Sequence, residues 1–274
     1  MKAIFIKLAY QWPIEAVTLL ALRMLFSLPF FIAVGLRGSR KSQPLSTRQW
    51  SIIVALGLLG YYGASIFDFI GLHYITAGLE RLILFSYPTL TMIFGAIFFG
   101  HQIRRREAFS LLLCYVGIAA AFAHDLHVAQ DMEVVLLGGG FVLLSSICYA
   151  AYLLGSGRII PIIGSARFTA LAMLVSTAAT LLHYAATQPL SSIRQPWQIY
   201  ALALAMALFS TVLPVFALSS AIRRIGASQT ALIANAGPVL TVGMSWWILG
   251  ESVSIWQWLG TALVIAGVVL AGKK

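Results

Sequence analysis

The sequence predicts an all-α integral membrane protein whose helices cross the bilayer and are joined by short connections. Hydrophobic residues make up 60% of the 274-residue chain and charged residues only 9%, with a mean hydropathy of +0.92. Because soluble domains contain about 25% charged residues, this chain lacks the polar side chains that a water-facing surface requires. The apolar runs also lack the two-residue alternation of a membrane β-barrel, so helices are the expected spanning elements.

Nine apolar runs are long enough to cross a bilayer, which requires about 20 residues in helical form. The fourth run is the shortest, and the connections between runs hold most of the charged residues. In chain order the runs are Ile14–Leu36, Trp50–Gly71, Arg81–Phe99, Ala108–Ala123, Val134–Leu154, Phe168–Ala186, Trp197–Ala221, Ala231–Leu249 and Ile255–Gly272.

The first ten residues contain a further apolar segment, AIFIKLAY, which is long enough for only half a span. We interpret it as the outer half of a tenth helix whose inner half is missing from this chain through a truncated start. The alternative is a short helix on the membrane surface. Lys7 lies within this segment, and its side chain either extends to the interface or faces a central cavity.

Lysine and arginine residues are distributed unevenly between alternate connections. Thirteen lie in one set, which includes residues 37–48, residues 101–107 and the two C-terminal lysines, whereas the other set contains one, Arg194. Positive residues accumulate on the cytoplasmic side of membrane proteins, so the net charge of +10 reflects topology rather than nucleic-acid binding. We predict a bacterial inner-membrane protein in the lipid bilayer, with a cytoplasmic C-terminus and no nucleic-acid partner.

The second half of the chain repeats the first after a shift of 150 residues. ITAGLERLILFSYPTLT (75–91) aligns without a gap on IGASQTALIANAGPVLT (225–241), and Pro88 matches Pro238. Gly100 and Gly250 also match. We predict two five-helix repeats, in residues 1–123 and 134–272, which have opposite orientations because each contains an odd number of helices. Inverted repeats are typical of alternating-access transporters, whose substrate site lies between the repeats near the midplane.

Several segments resemble the EamA family of the drug/metabolite transporter superfamily. They include DFIGLHYITAGLERLILFSYPTLT in the first half and GASQTALIANAGPVLTVGMSWWILGESVSIWQWLGTALVIAGVVL in the second, and the resemblance extends over essentially the whole chain. It implies ten helices, cytoplasmic termini and export of small metabolites or amino acids. The chain departs from the family in its incomplete first helix and at His101, where many relatives carry Glu.

Ionisable and helix-breaking residues inside spans are the candidates for a substrate cavity, because burying them in a membrane is costly. Arg23 lies about ten residues into its helix, where it either attracts anionic groups of a substrate or pairs with a carboxylate. Pro88 and Pro238 lie in the middle of helices at matched positions, and each removes a backbone hydrogen-bond donor. They either belong to a substrate site or only kink the helices for packing. The cavity candidates are Arg23, Ser86, Tyr87, Pro88, Gln229, Asn235 and Pro238.

A second group of charges lies at the predicted outer ends of helices. We expect Asp68 and Arg81 to pair across a tight hairpin as a structural outer latch, rather than to bind substrate directly. Glu80 suits a helix start because of the helix dipole, and outer carboxylates of this kind are often hydrated. Glu251 is expected to cap or position the turn that follows Gly250.

Aromatic and small residues allow two readings each. The aromatic residues Tyr61, Tyr149, Tyr152, Trp246 and Trp247 either line a cavity or belong to interfacial aromatic belts. Belts are the commoner arrangement for aromatic residues near helix ends. Small residues four apart, such as Gly117 and Ala121, favour close helix packing and are weak support for a homodimer.

Enzymatic function is disfavoured by the motifs that the chain lacks. The sequence contains no Walker loop, GxGxxG, HExxH or CxxC pattern, so we expect no cofactor and no metal. An integral membrane enzyme is the less favoured alternative. A second alternative is a nucleotide-sugar exchanger of the same superfamily, in which Arg23 and Lys7 would contact the phosphates of the substrate. Our prediction is a carrier that exports a small-molecule substrate.

Overall fold

A computed structural model describes residues 2–39, 44–100, 105, 108–109, 112–113, 115–120, 132–233, 236–250 and 254–272. Side chains are not described between residues 225 and 242. The helices in these ranges are α1 (Lys2–Ala9), α2 (Ala16–Ser39), α3 (Thr47–Tyr74), α4 (Ala77–Leu84), α5 (Tyr87–Phe99), α6 (Met132–Ile163), α7 (Ser165–Thr187), α8 (Trp197–Ala205, Met206–Val212 and Leu213–Ile233), α9 (Ala236–Leu249) and α10 (Ile255–Gly272).

Six helical stretches of the described ranges are long and apolar enough to cross a membrane. They are Ala16–Leu36, Thr47–Tyr74, Ala77–Phe98, Met132–Ile163, Ser165–Thr187 and Trp197–Arg224. No strand occurs in the part of the chain that the structure describes. The all-α membrane fold predicted from composition is therefore confirmed.

Capping residues explain why two helices begin earlier than their apolar runs. Thr76 accepts a hydrogen bond from the Leu79 N–H at 3.2 Å, so α4 begins at Ala77 rather than at Arg81. Ser46 and Gln49 form a reciprocal capping box that begins α3 at Thr47. The hydrophobic pattern marks the membrane segment, whereas the cap fixes the helix start.

The predicted connection at residues 155–167 is also mostly helical. Helix α6 continues through Pro161 to Ile163, and the chain turns at Gly164, whose φ of 87° suits glycine. A proline this close to a helix end removes little of the hydrogen-bond ladder. The connection predicted at residues 155–167 was therefore too long, since the helix continues through Ser156 and Arg158 to Ile163.

Helix packing brings the two halves of the chain together. Helix α2 packs along α7, the C-terminal part of α3 packs along α6, and the short helix α4 contacts α1, α3, α6, α9 and α10. Helix α1 is buried in this bundle, with Ala3, Ile6 and Ala9 inaccessible to solvent. The alternative of a surface helix at residues 2–9 is therefore wrong.

Backbone irregularities recur at matching positions in the two halves. A π-helical turn at Leu58–Gly63 corresponds, after the shift of 150 residues, to the π-helical segment at Met206–Val212. Gly100 and Gly250 end α5 and α9 with φ of 65° and 66°. Sequence identity at this spacing is thus accompanied by equivalent backbone geometry.

Candidate functional site

Four charged side chains meet where α1, α3 and α4 come together. The Lys2 Nζ lies 2.7 Å from Asp68 Oδ2, and the Arg81 Nε lies 3.7 Å from Glu80 Oε2. The Asp68 and Glu80 carboxyl groups also contact each other. We call these four residues the charge cluster.

Both carboxyl groups of the charge cluster are fully buried, whereas the Lys2 and Arg81 side chains are partly accessible. Within the described ranges, no N–H or O–H donor makes a well-formed hydrogen bond to either Glu80 oxygen. The carboxyl groups therefore depend on the two neighbouring cations, since a buried charge without a partner is strongly destabilising.

This arrangement corrects two sequence predictions. Asp68 pairs with Lys2 rather than with Arg81, because α1 packs against the C-terminal part of α3. Asp68 and Glu80 are also not hydrated residues of an outer edge, because both lie within helices and are covered by neighbouring ones. Sequence reasoning missed Lys2 as a site residue, although a lysine in an apolar segment was a usable signal.

Arg23 lies close to the charge cluster in the middle of α2. It donates a hydrogen bond from Nη2 to Ser65 Oγ at 2.9 Å, and its guanidinium carbon lies 4.9 Å from the centre of the Phe69 ring. The side chain is 97% buried, and its Nε has no hydrogen-bond partner among the described residues. The ion pairs of the described chain do not include Arg23, so the predicted alternative of a direct carboxylate pair is not what the structure shows.

The buried charges of this region do not balance. Lys2, Arg23 and Arg81 contribute three positive charges, whereas Asp68 and Glu80 contribute at most two negative charges. An uncompensated guanidinium in a low-dielectric interior attracts an anionic group. The excess of positive charge in this region therefore lies at Arg23, which has no carboxylate partner among the described residues.

The helix break between α4 and α5 lies next to the charge cluster. Pro88, the second residue of α5, has no N–H, which prevents continuation of the hydrogen-bond ladder across Phe85 and Ser86. Ser146 of α6 donates to the Ile83 and Leu84 carbonyl groups at 3.3 and 3.1 Å. Two carbonyls at the break are thus satisfied within the protein. The Ser86 hydroxyl is buried and has no partner among the described residues.

Buried aromatic residues extend inward from the break. Tyr87 packs edge-on against Tyr149, with ring centres 5.0 Å apart, and Tyr149 stacks on Tyr152 at 5.8 Å. Tyr152 in turn stacks on Phe168 and shares a 2.7 Å hydrogen bond with the Tyr61 hydroxyl. We call these five residues the aromatic column.

The aromatic column decides between the two predicted roles of the aromatic residues. Tyr61 and Tyr152 are buried inside the bundle and do not form an interfacial belt. Trp246 and Trp247, in contrast, are 65% and 80% exposed on the outside of the bundle, as belt residues are. The sequence could not distinguish these cases because both kinds of residue occupy apolar runs.

Four of the predicted site residues cannot be placed at this site. Asn235 and Glu251 lie outside the described residues. Gln229 and Pro238 belong to α8 and α9, but their side chains are in the range that is not described. The assignment of Gln229, Asn235 and Pro238 to a cavity stays a prediction, as does the capping or positioning role of Glu251.

Comparison with known proteins agrees with the helix arrangement. The model of the EamA-like transporter family matches the chain twice, at residues 2–123 and 136–272, which together cover nearly its full length. The chain belongs to the EamA-like transporter family. It is therefore an integral membrane transporter of the drug/metabolite superfamily type and not an enzyme.

Two curated bacterial relatives support this assignment. The chain is 31% identical over its full length to "Uncharacterized transporter YcbK" of Bacillus subtilis (strain 168), and the alignment covers 91% of that protein. It is 26% identical to "Uncharacterized transporter YyaM" of the same organism, with 88% of this chain and 78% of that protein aligned. These bacterial relatives fit an inner-membrane location.

A solved crystal structure shares the fold. The superposition has a TM-score of 0.71 and covers 98% of this chain and 93% of the other, at 19% sequence identity. At this level of identity the likeness concerns the fold alone.

Proposed function

We propose that the protein is a secondary transporter that exports small organic metabolites or amino acids by alternating access. In this mechanism residues 1–123 and 134–272 form two inverted repeats, which rock about a central cavity. The cavity lies beside the helix break between α4 and α5, and Arg23 binds an anionic group of the substrate there.

The helix break between α4 and α5 is the observation that carries this proposal, and Pro88, which adjoins it, matches Pro238 of the second half. Interrupted helices are a feature of transporter substrate sites, because the interrupted backbone provides polar groups inside the membrane. The break adjoins the charge cluster, and α4 also contacts α9 of the second half. A substrate beside this break would therefore contact both proposed repeats.

The unbalanced positive charge supports an anionic group on the substrate. Arg23 keeps an unused Nε–H donor in a buried position, and hydrogen bonds between charged groups contribute about 1.5–3 kcal/mol each. Amino acids and organic acids both carry such a carboxylate. The aromatic column, which starts at Tyr87, offers apolar surface for the rest of the molecule.

Transport in reconstituted liposomes tests the proposal. The purified protein is reconstituted and assayed for exchange and efflux of a panel of amino acids, organic acids and nucleotide sugars, with protein-free liposomes as the background. We expect at least one carboxylate-bearing solute to move above background. The nucleotide sugars are included because a phosphate would also bind Arg23, and selective exchange of these would favour the superfamily alternative.

Variants of one arginine test the role of the site. Arg23→Gln is expected to raise the KM for the transported carboxylate about 10-fold or more, from the loss of one charged hydrogen bond. Arg194→Gln removes the same charge from an exposed connection and should leave the KM unchanged. The proposal fails if the folded protein moves no member of the panel, and the assignment of Arg23 fails if both variants behave alike.

A further inference from the structure

A basic cavity lies apart from the charge cluster, where the start of α7 meets the C-terminal part of α8. It has a volume of about 340 Å³ and is lined by Ser165, Ser220, Arg223 and Arg224. Ligand sites start at about 300 Å³, so the cavity suits a group of headgroup size rather than a whole nucleotide or lipid. None of these residues takes part in the proposed transport site.

The four described lining residues include two arginines. Arg223 and Arg224 are exposed at the cavity, and the ion pairs found among the described residues involve neither of them. No described lining residue is acidic. Both arginines line the same cavity, and the planar donors of a guanidinium group match phosphate oxygens.

The backbone of α7 adds a third source of positive potential. Gly164 turns the chain at a φ of 87°, and no side chain caps the helix that begins at Ser165. The N-terminus of a helix carries a partial positive charge and presents N–H donors to anions. The Ser165 hydroxyl, which is largely buried, lies at the same end of the cavity.

The position of the cavity relates it to the membrane surface. The apolar span of α8 ends at Arg224, so the two arginines lie at the boundary between the hydrocarbon region and the headgroups. The lysine and arginine distribution predicts this boundary to be the cytoplasmic one. Basic pockets between helices on that side are suited to the headgroups of anionic lipids.

The opposite half of the chain lacks an equivalent site. The shift of 150 residues places Glu15, Ile70, His73 and Tyr74 at the positions of the four lining residues. This set contains no arginine and includes a carboxylate. The basic cavity is therefore one-sided, unlike a substrate pathway that must be accessible from both faces in turn.

We propose that the cavity lined by Ser165, Ser220, Arg223 and Arg224 binds a phosphate group. The phosphate belongs either to an anionic membrane lipid or to a soluble phosphate compound. Both sources present the same oxygens to the two guanidinium groups, and the site is separate from the proposed transport pathway.

Two binding measurements on the full-length protein distinguish the sources. Native mass spectrometry in detergent measures retention of phosphatidylglycerol against phosphatidylcholine, and isothermal titration measures inorganic phosphate and glycerol 3-phosphate. Preferred retention of phosphatidylglycerol identifies a lipid, and saturable binding of a soluble phosphate identifies a soluble ligand. Either result supports the site, provided that it depends on the arginines.

Charge variants establish that dependence. The Arg223→Gln/Arg224→Gln double variant is expected to weaken binding about 25-fold, from about 1 kcal/mol for each arginine near an anionic surface. The Arg223→Lys/Arg224→Lys variant should retain most of the binding, and Arg194→Gln should retain all of it. If the double glutamine variant aggregates, the lysine variant serves as the folded comparison.

Three results would overturn the proposal. They are wild-type protein that binds neither probe, a folded double glutamine variant that binds as the wild type does, and equal loss of binding in Arg194→Gln. If the double glutamine variant aggregates, loss of binding in the folded lysine variant counts against the site. Transport activity does not enter these measurements, so they are independent of the proposed carrier function.

Discussion

At the residue scale, the salt bridge between Lys2 and Asp68 links the start of the chain to α3. The Asp68 carboxylate is fully buried, whereas Lys2 is partly accessible, and the two atoms are 2.7 Å apart. Removing one partner of such a pair leaves the other charge without compensation, which costs more than the pair itself contributes. Asp68 is therefore expected to tolerate substitution less well than any exposed carboxylate.

Asp68→Asn is expected to lower the free energy of unfolding by about 3 kcal/mol, because it leaves the Lys2 and Arg81 charges with one carboxylate fewer. Thermal unfolding in a single detergent should show this as a decrease in Tm of several degrees. Glu15→Gln removes an exposed carboxylate and should have little effect. In the Lys2→Gln/Asp68→Asn double variant, the loss should be smaller than the sum of the single losses. An additive result would contradict the ion pair.

At the element scale, the break between α4 and α5 is a built feature with its own hydrogen-bond partners. Helix α4 ends at Leu84, and Ser146 of α6 supplies donors to carbonyl groups that the missing turn would have satisfied. Interrupted backbone inside a membrane persists where neighbouring side chains satisfy it. The break thus depends on α6 as much as on Pro88.

Ser146→Ala is expected to destabilise the protein by about 1–2 kcal/mol, because it leaves the Leu84 carbonyl without its donor, whereas the Ile83 carbonyl still accepts from the Ser86 N–H at 3.0 Å. Ser156→Ala is the matched control. Ser156 is also fully buried on α6, but its hydroxyl donates to the Leu153 carbonyl of its own helix. Tm values of the two variants in one detergent measure the difference. Equal Tm values would show that the α4–α5 break does not need Ser146.

The π-helical turn of α3 is a second irregular element. Gly60, one of its two glycines, lies against the aromatic column. A Cβ atom on Gly60 would lie 2.2 Å from the Cγ of Tyr152. No side chain other than hydrogen fits there without moving that ring. The Tyr61–Tyr152 hydrogen bond at 2.7 Å depends on the same close approach.

Gly60→Ala is accordingly expected to displace Tyr152 and to lower the free energy of unfolding by about 1–3 kcal/mol through overpacking. Gly95→Ala provides the control, since its Cβ would meet no atom within 4 Å and alanine is the better helix former. We expect Gly95→Ala to leave the Tm unchanged or slightly raised. A Gly60→Ala protein as stable as the Gly95→Ala protein would contradict the tight contact.

At the scale of the whole molecule, the two halves share a backbone plan but differ in charge. The shift of 150 residues places Tyr152, Leu218, Thr230 and Ala231 at the positions of the charge cluster. The second half therefore has no acidic or basic residue at any of these positions. In the proposed rocking motion, the two similar halves would thus differ in charge at these positions, with ionisable residues in the first half and uncharged residues in the second.

Membrane orientation is testable with single cysteines in a background that lacks Cys114 and Cys148. The distribution of lysine and arginine predicts that Arg194→Cys faces the outside and Arg48→Cys the cytoplasm, and both positions are exposed. A membrane-impermeant maleimide should label Arg194→Cys in intact cells and Arg48→Cys only after permeabilisation. The reverse pattern would overturn the predicted topology.

Local properties of the sequence are enough to specify the class of the protein, most of its helices and one interruption of its backbone. Apolar length decides which segments cross a membrane, and a proline removes one backbone donor, which interrupts the helix at Pro88 but not at Pro161. Pro88 accordingly marks the α4–α5 break through its missing N–H, a property that needs no partner elsewhere in the chain.

Which charges meet depends instead on tertiary packing. Lys2 and Asp68 are distant along the chain, and they pair because α1 packs against the end of α3. The burial of Glu80 depends likewise on the neighbouring helices that cover α4. Whether an aromatic residue faces lipid or the core, as Trp247 and Tyr152 do respectively, is decided by helix rotation and packing. Hydrophobicity cannot fix these relations, because both lipid and the protein interior are apolar.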